Sequence, residues 1–416
     1  MAGLRVILST LLACTSLPAL AAPNVITDWD EKAVAAVQGN AAFPPRIGPT
    51  GGNRIMAVVH LAMFEATNAI DTKYEGYKSA AKPDIGCSQQ AAAAKAAATV
   101  LIKMHPESAA KTQQELDAYL EKIPAGEAKD RGIKLGEESA TKVLALRDDD
   151  GYDRPNTYRP RTEPGVYVAT VQPVFWEFSD MRPFALASPS QFRPGPPPEL
   201  KGDTWAKDYN EIKELGGKNS AKRTQRQTED AKFWLSAGPA MYQPIVRQTV
   251  ISREMSIVES ARFMTIVTTA QMDALIAVFD AKYKYEFWRP MTAIRNGDID
   301  GNNATERLAA WQPLDVTPLH PEYPCAHCVL AGALAGSIEA LLGTTNIPEA
   351  SMTSPTAPGV THTFTNVRAV SDEVAGARIY AGFHYRYSTV VGTELGMKIG
   401  AYVAQNALQP LTIAAK

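Results

Sequence analysis

Residues 320–328 read HPEYPCAHC and hold two of the four cysteines and two of the six histidines of the chain. A CxxC pair can attach haem, bind zinc, exchange disulfides or form a structural disulfide. Haem attachment needs a histidine where Val329 stands, and a structural zinc site needs a second ligand pair, which Cys87 alone does not supply. A thioredoxin-like redox pair needs a strand before the CxxC helix, and the residues before Cys325 predict a strand only weakly. A Cys325–Cys328 disulfide is favoured in an oxidising compartment, but the sequence leaves these alternatives open.

Cationic and imidazole side chains recur at fixed spacing on both sides of this segment. Arg289 follows Lys282 by seven residues and precedes Pro290, and His384 follows Arg378 by six. Between these pairs, residues 324–327 (PCAH) open a segment of helical composition. Fixed cations, helix N-terminal N–H groups and imidazoles suit a tetrahedral oxyanion, whose oxygens carry spread negative charge. The pattern therefore predicts an oxyanion site assembled from distant parts of the chain.

The order of these groups resembles the three-part signature Lys-x6-Arg-Pro, Pro-Ser-Gly-His and Arg-x5-His of the vanadium haloperoxidases and the type 2 phosphatidic acid phosphatases. The stretches FDAKYKYEFWRPMTAIR, HPEYP, ARIYAGFH and FALASPSQFRPGPPPEL are similar to the bacterial haloperoxidase-like branch. The resemblance covers most of the chain and is stronger after about Arg147. A single lysine or arginine is usually solvated or salt-bridged. A chance match is nevertheless a poor explanation when three motifs occur in the right order.

The resemblance implies a role for each matching residue. His384 would be the axial ligand of vanadium, or the nucleophile that forms a phosphohistidine, and His327 would act as general acid and base. Lys282 would also polarise hydrogen peroxide, and His320 stands where bromoperoxidases carry a histidine. The residues that would hold the cofactor, orthovanadate, or a phosphate are Lys282, Arg289, Cys325, Ala326, Arg378 and His384.

Three positions depart from the family pattern. Cys325 replaces the serine of Pro-Ser-Gly-His, so that a hydroxyl donor becomes a weakly donating thiol. Ala326 replaces the glycine, and Ser388 stands where the family usually has aspartate and is expected to cap the last helix. Pairing of Cys325 with Cys328 is expected to strain or close the site. These changes put the affinity for an oxyanion in question.

The resemblance implies a haloperoxidase that oxidises a halide, bromide in first place, with hydrogen peroxide to a hypohalous acid. One alternative is an acid phosphatase that hydrolyses phosphate monoesters through His384, and another is an oxyanion-binding relative without catalysis. Homodimer formation is also implied. With 42 Lys and Arg against 44 Asp and Glu, the net charge of −2 gives no reason to expect a nucleic acid as partner.

Helices are expected to hold these residues in place. Apolar residues recur at helical spacing through most of the chain, with neither an internal repeat nor a β-rich block, so the sequence predicts an all-α fold of two packed helical bundles. We expect an N-terminal helical half over residues 22–150, an ordered Pro- and aromatic-rich connection over 151–202, and a C-terminal bundle with the oxyanion site over 203–416.

The N-terminus has the features of a secretory signal peptide. Arg5 precedes an apolar run from Val6 to Cys14, and the small-residue pattern that follows predicts cleavage after Ala21, which makes residues 1–21 the signal peptide. A lipoprotein anchored through Cys14 is the alternative. We expect an exported protein, periplasmic or extracellular and without a membrane span, whose odd number of remaining cysteines excludes a disulfide framework.

Overall fold

The computed structural model describes residues 23–38, 49–78 and 82–411, so the predicted signal peptide lies outside the described residues. The described part is mostly helical, which confirms the all-α prediction; the division into two bundles stays a prediction. The α-helices are α1 (Val25–Gln38), α2 (Pro49–Asn68), α3 (Gln89–Met104), α4 (Ala109–Leu120), α5 (Glu127–Arg147), α6 (Asp203–Leu215), α7 (Gln225–Phe233), α8 (Pro239–Ser252), α9 (Ile257–Tyr285), α10 (Pro290–Arg295), α11 (Ala326–Leu342), α12 (Val367–Tyr380) and α13 (Arg386–Asn406).

Helix α9 is the central element of the core. It starts at a capping box in which Ser256 and Glu259 satisfy each other's backbone N–H groups, and it ends at Glu286 in a left-handed conformation. Helix α2 packs on one part of α9, and helices α11 and α13 pack on another. Helix α9 is apolar and buried on nearly all sides, so Lys282 in its last turn lies in the protein interior and not in solvent.

Helix α9 is also the one helix among the described residues with the length and hydropathy of a membrane span. Of its most apolar window, 94% is buried inside the protein. That burial accounts for the apolar composition, because a helix surrounded by other helices must be hydrophobic all round.

The connection between α5 and α6 is irregular except for a short 3-10 turn at Trp176–Asp180, and several of its side chains, such as Phe178 and Phe184, are buried. Its anchor is the buried carboxylate of Asp273 in α9, which accepts backbone N–H groups of Phe184 at 2.6 Å, Ala185 at 2.7 Å and Leu186 at 2.9 Å. Three N–H donors offset the loss of hydration of this buried acid. The anchor keeps the connection against the central helix.

Helices α11 and α13 approach so closely that their backbones touch. A Cβ atom added at Gly332 would collide with the carbonyl oxygen of Thr393, and one added at Gly396 would collide with the carbonyl oxygen of Val329. Gly336 and Gly400 are equally crowded by the partner helix. This glycine seam fixes the position of the N-terminus of α11 relative to the start of α13.

A β-hairpin between α11 and α12 was not predicted. Strands β1 (Asn346–Ser354) and β2 (Ala357–Asn366) pair antiparallel, with Met352 opposite His362. The burial of β1 alternates only over its second half, and Pro348 interrupts the pattern, which explains why the sequence did not indicate a strand.

Candidate active site

Three cationic side chains are buried close to one another. Lys282 lies in the last turn of α9, Arg289 directly precedes α10, and Arg378 lies in the last turn of α12. Each is at most 1% exposed. Burial lowers the pKa of Lys282, and the charges of both arginines lower it further, so all three groups share one electrostatic environment. The structure thus brings together the cations that the sequence pattern predicted.

Lys282 and Arg289 hold the HPEYP segment by its backbone. The Nζ atom of Lys282 donates to the carbonyl oxygens of Pro321 at 2.9 Å and Glu322 at 2.7 Å. The Nε atom of Arg289 donates to the carbonyl oxygen of His320 at 2.9 Å. These bonds place the segment between α9 and the N-terminus of α11, directly beside the cations.

His384 is oriented by a buried carboxyl group. Its Nδ1 atom lies 2.9 Å from Oε1 of Glu322, and its Nε2 atom lies 3.2 Å from Nη1 of Arg289. A guanidinium can only donate, so Nε2 carries the lone pair and Nδ1–H donates to Glu322. Glu322 also accepts the backbone N–H of Tyr385 at 3.1 Å, which fixes both sides of the histidine. The imidazole therefore presents a lone pair to the cation cluster.

His320 contacts both Arg289 and the backbone through one ring nitrogen. Its Nδ1 atom lies 3.0 Å from Nη2 of Arg289 and 3.1 Å from the carbonyl oxygen of Pro321. The ring packs against Phe175 and Phe279, with centroid distances of 6.2 and 5.3 Å. Its Nδ1 side faces Arg289, and the ring also lines an apolar cavity.

Arg378 is held from the other side of the cluster. Its Nη1 atom donates to the carbonyl oxygen of Trp234 at 2.6 Å, and its guanidinium lies over the ring of Phe383 at 4.8 Å from the centroid. Its Nε atom is buried without a hydrogen-bond partner among the described residues. A buried donor of this kind indicates a place for an acceptor that comes from outside the chain.

The CxxC pair forms a disulfide at the start of α11. Cys325 occupies the N-cap position and is bonded to Cys328, and both are fully buried, so the alternative favoured by the sequence is the one found. A disulfide sulfur carries no proton, so the Cys325 side chain has no donor in this state. The helix nevertheless starts regularly at Ala326; the backbone N–H of Cys328 donates to Sγ of Cys325 at 3.2 Å, which leaves those of Ala326 and His327 for an anion.

His327 lies in the first turn of α11 and is partly exposed to the apolar cavity. Its Nε2 atom is buried and has no hydrogen-bond partner among the described residues. Arg378, Lys282 and Arg289 all act on it electrostatically, so it lies beside the cation cluster as predicted. An imidazole nitrogen without a partner next to an anion site is suited to proton transfer.

Ser388 does not cap the last helix, contrary to expectation. Helix α13 starts at Arg386 with Tyr385 at the N-cap, which places Ser388 inside the first turn. Its carbonyl oxygen accepts the backbone N–H of Cys325 at 3.2 Å. Ser388 thereby joins the start of α13 to the start of α11.

Burial and mutual repulsion dominate the titration of the site. Burial, followed by the charge of Arg289, lowers the pKa of Lys282 and of His384 well below their ordinary values. Burial also lowers the pKa of His320 and of His327, with Lys282 and Arg378 respectively adding to the effect. Burial raises the pKa of Glu322 to about 7, although Lys282 and Arg289 oppose the shift. The histidines are therefore neutral at neutral pH.

The site has more positive than negative charge. Among the described residues, the buried guanidinium groups of Arg289 and Arg378, joined by Lys282 below its lowered pKa, face one buried carboxyl, Glu322, which is itself only partly ionised at neutral pH. Unbalanced buried charge costs several kcal/mol per ion, so a bound anion would stabilise the cluster. Together with the free donors at Arg378 and Ala326 and the lone pair of His384, this surplus fits a tetrahedral oxyanion such as vanadate. Direct bonding through Nε2 of His384 requires its contact with Arg289 to open.

A second polar cluster lies apart from this group. Asp230, His362 and Glu373 come close enough together to bind a metal ion. Arg226, however, forms ion pairs with both carboxylates, and Trp234 donates to Glu373 at 2.8 Å. Arg226 thus balances one of the two negative charges, and the cluster joins β2 to α7 and α12.

Residues 262–412 match the model of the second helical-bundle domain of vanadium chloroperoxidase. The chain is 28% identical over 138 residues to the vanadium chloroperoxidase of Curvularia inaequalis, a match that spans 28% of this chain and only 23% of that protein. It superimposes on a bacterial vanadium-dependent iodoperoxidase with a TM-score of 0.78 at 21% identity, over 94% of this chain and 98% of the other. A bacterial vanadium-dependent chloroperoxidase gives a TM-score of 0.71 at 18% identity, over 93% and 98%.

The chain has the vanadium haloperoxidase fold. The resemblance inferred from the three-part signature is thereby confirmed. Sequence reasoning missed one residue of this haloperoxidase-like site, Glu322, although it stands within the quoted HPEYP segment. An acid between two prolines, five residues before His327, was a signal that could have been used.

Proposed function

We propose that this chain is a vanadate-dependent haloperoxidase that oxidises a halide, bromide, with hydrogen peroxide to the hypohalous acid. The observation that carries the proposal is the surplus of buried positive charge around the lone pair of His384. The similar folds, described as iodoperoxidase and chloroperoxidase, support the same reaction class.

Each residue of the cluster has a task in this proposal. Lys282, Arg289 and Arg378 would hold the equatorial oxygens of vanadate, with help from the backbone N–H of Ala326, and His384 would bind the metal. Bound vanadate supplies the Lewis acid that activates hydrogen peroxide for attack by the halide. The Nε2 atom of His327, which has no partner in the described part of the chain, would take up and return the proton of the peroxide.

An apolar cavity beside His327 favours the peroxidase over the phosphatase. The residues that line it include no Asp, Glu, Lys or Arg. Hydrogen peroxide is neutral and bromide carries one charge, whereas a phosphate monoester would bring close to two charges past the apolar walls at a larger desolvation cost. Ester hydrolysis is the result that the phosphatase hypothesis predicts.

We also propose that the protein is exported. The N-terminal segment has the pattern of a signal peptide, and the Cys325–Cys328 disulfide supports an oxidising compartment.

The test is a divided assay on purified protein. One part contains orthovanadate, hydrogen peroxide, bromide and a dye that can be brominated, and the other contains a chromogenic phosphate ester without vanadate. Bromination that depends on vanadate and is lost in His384→Ala, but not in the control His105→Ala, is the expected result. Ester hydrolysis without bromination would replace the peroxidase by the phosphatase. Vanadate binding without turnover in either part would leave only an oxyanion-binding protein.

A further inference from the structure

Of the three buried cations, Arg378 is fixed by the fewest hydrogen bonds among the described residues. Arg289 donates to the carbonyl oxygens of His320 at 2.9 Å and Phe383 at 3.0 Å, so two segments of backbone fix it. The guanidinium of Arg378 donates to the carbonyl oxygen of Trp234 at 2.6 Å, and its Nε atom has no partner in the described part of the chain. The direction of its remaining N–H groups therefore depends on where the backbone of Trp234 lies.

Trp234 is held in place by its own side chain. It directly follows α7 and is fully buried, and its indole Nε1–H donates to Oε1 of Glu373 at 2.8 Å. The indole packs against the rings of Phe233 and Tyr242, with centroid distances of 5.3 and 6.1 Å. Glu373 lies in α12, on the same helix as Arg378. The indole and the carbonyl group of one tryptophan thus bind two residues of a single helix.

Glu373 is fixed in turn by other members of the second polar cluster. Its Oε1 atom lies 2.5 Å from Nδ1 of His362, and its Oε2 atom lies 3.2 Å from Nη2 of Arg226. The ring of His362 is stacked on that of Phe233, with 3.8 Å between the centroids. Because an imidazole, a guanidinium and an indole all bind this carboxylate, it holds the indole in one orientation.

The residue after Trp234 acts on the same site. The backbone of Leu235 forms a hydrogen bond with the ring of His327 and opposes the lowering of its pKa, which burial and the charge of Arg378 cause. The turn after α7 therefore bonds to an anion-binding group through one residue and to the proton-transferring group through the next. A displacement of this turn would disturb both groups.

We propose that Trp234 and Glu373 are positioning residues, which orient Arg378 towards the anion through the carbonyl group of Trp234. The proposal rests on the proposed function in that Arg378 holds an oxygen of vanadate. Trp234 does not bind the anion itself, because its backbone N–H donates to the carbonyl oxygen of Asp230 at 3.0 Å and its other polar groups are bonded to Arg378 and Glu373.

The first test removes the indole N–H and keeps an aromatic ring. Trp234→Phe does this, and Trp311→Phe is the matched control, since the buried indole of Trp311 donates to the carbonyl oxygen of Lys213 at 3.0 Å. In equilibrium dialysis, orthovanadate should bind about tenfold more weakly to Trp234→Phe than to Trp311→Phe, because a hydrogen bond to a charged group is lost. Equal affinities in the two variants overturn the proposal.

Exchanges of Glu373 test the other end of the same bond. Glu373→Ala should weaken orthovanadate binding about as much as Trp234→Phe does. Glu373→Gln keeps an oxygen that accepts the indole N–H and should recover most of the affinity. If Glu373→Gln binds as weakly as Glu373→Ala, the charge of Glu373 and not its bond to Trp234 is what matters, and the proposal fails.

A double-mutant cycle shows whether the effect passes through Arg378. In an Arg378→Lys background, Trp234→Phe should cause less than about a twofold further loss, because the single nitrogen of lysine has no fork to orient. A tenfold loss in this background would show that Trp234 acts independently of Arg378, which overturns the proposal. If the unchanged protein binds no orthovanadate, the proposal and the proposed function fail together. If it binds orthovanadate without oxidising a halide, the proposed function alone fails, and the positioning role stands on the binding data.

Discussion

Nδ1 of His384 lies 2.9 Å from Oε1 of Glu322, and both side chains are at most 1% exposed. The carboxyl group keeps the proton on Nδ1 and directs the lone pair of Nε2 towards the cations. Carboxylate–histidine pairs of this kind orient metal ligands in many metalloproteins. Glu322 is thus a positioning residue for His384.

Glu322→Ala should weaken vanadate binding by about 10–100-fold, because Nδ1–H would be buried without an acceptor and the ring could turn. Glu322→Gln keeps an acceptor oxygen and should lose less. Equilibrium dialysis with orthovanadate measures both variants, with the exposed Glu349→Ala as control. Affinity in Glu322→Ala equal to that of the control would contradict the positioning role.

The disulfide should limit the affinity for the anion, because Cys325 has no donor while it is bonded to Cys328. The double variant Cys325→Ser, Cys328→Ala restores a hydroxyl and should bind vanadate about tenfold more tightly than Cys325→Ala, Cys328→Ala. Both should lose about 2 kcal/mol of unfolding free energy with the short disulfide loop. Equal vanadate affinities in the two would show that the hydroxyl has no place at the anion.

Anion binding should take up protons, because a dianion next to Lys282 raises its pKa from the lowered value of the free protein. Arg289, Arg378 and Glu322 are the charged groups around it, and the neighbouring histidines are neutral. Sulfate affinity should therefore fall as the pH rises from the lowered pKa towards 10.5, the ordinary value. Sulfate is the probe because it does not titrate in this range.

Calorimetry of sulfate binding in buffers of different ionisation enthalpy measures the proton uptake directly. Lys282→Arg keeps the charge over the whole range and should remove most of the pH dependence. An unchanged pH dependence in this variant would assign the proton to another group.

Asp273→Asn should destabilise the fold by about 2–4 kcal/mol. The –NH2 group of asparagine would face one or two of the N–H donors of residues 184–186 and leave them without an acceptor. Asp280→Asn is the control on the same helix; its carboxylate pairs with Arg193 nearer the surface and should cost less than about 1 kcal/mol. Urea unfolding followed by circular dichroism compares the two. Similar losses in both variants would contradict the anchor.

The sequence predicted the fold class and singled out cations that the structure places close together, because helical periodicity and the spacing of Lys282, Arg289, Arg378 and His384 are local patterns. The sequence could not settle whether Cys325 is a free thiol or bonded to Cys328, because a disulfide depends on the backbone path into α11. In the structure this path brings the Cα atoms of the two cysteines to 5.3 Å. The partnership of Glu322 with His384 joins residues 62 positions apart, and no spacing rule predicts such a contact.

The glycine seam between α11 and α13 has a consequence for how chains of this fold can diverge. An exchange of Lys282 or His327 would alter the chemistry but leave the helices in place, whereas any side chain at Gly332 or Gly396 would push the two backbones apart. The glycine spacing is therefore a requirement of the architecture alone, and a chain of this fold can lose the cation spacing without losing the helix packing.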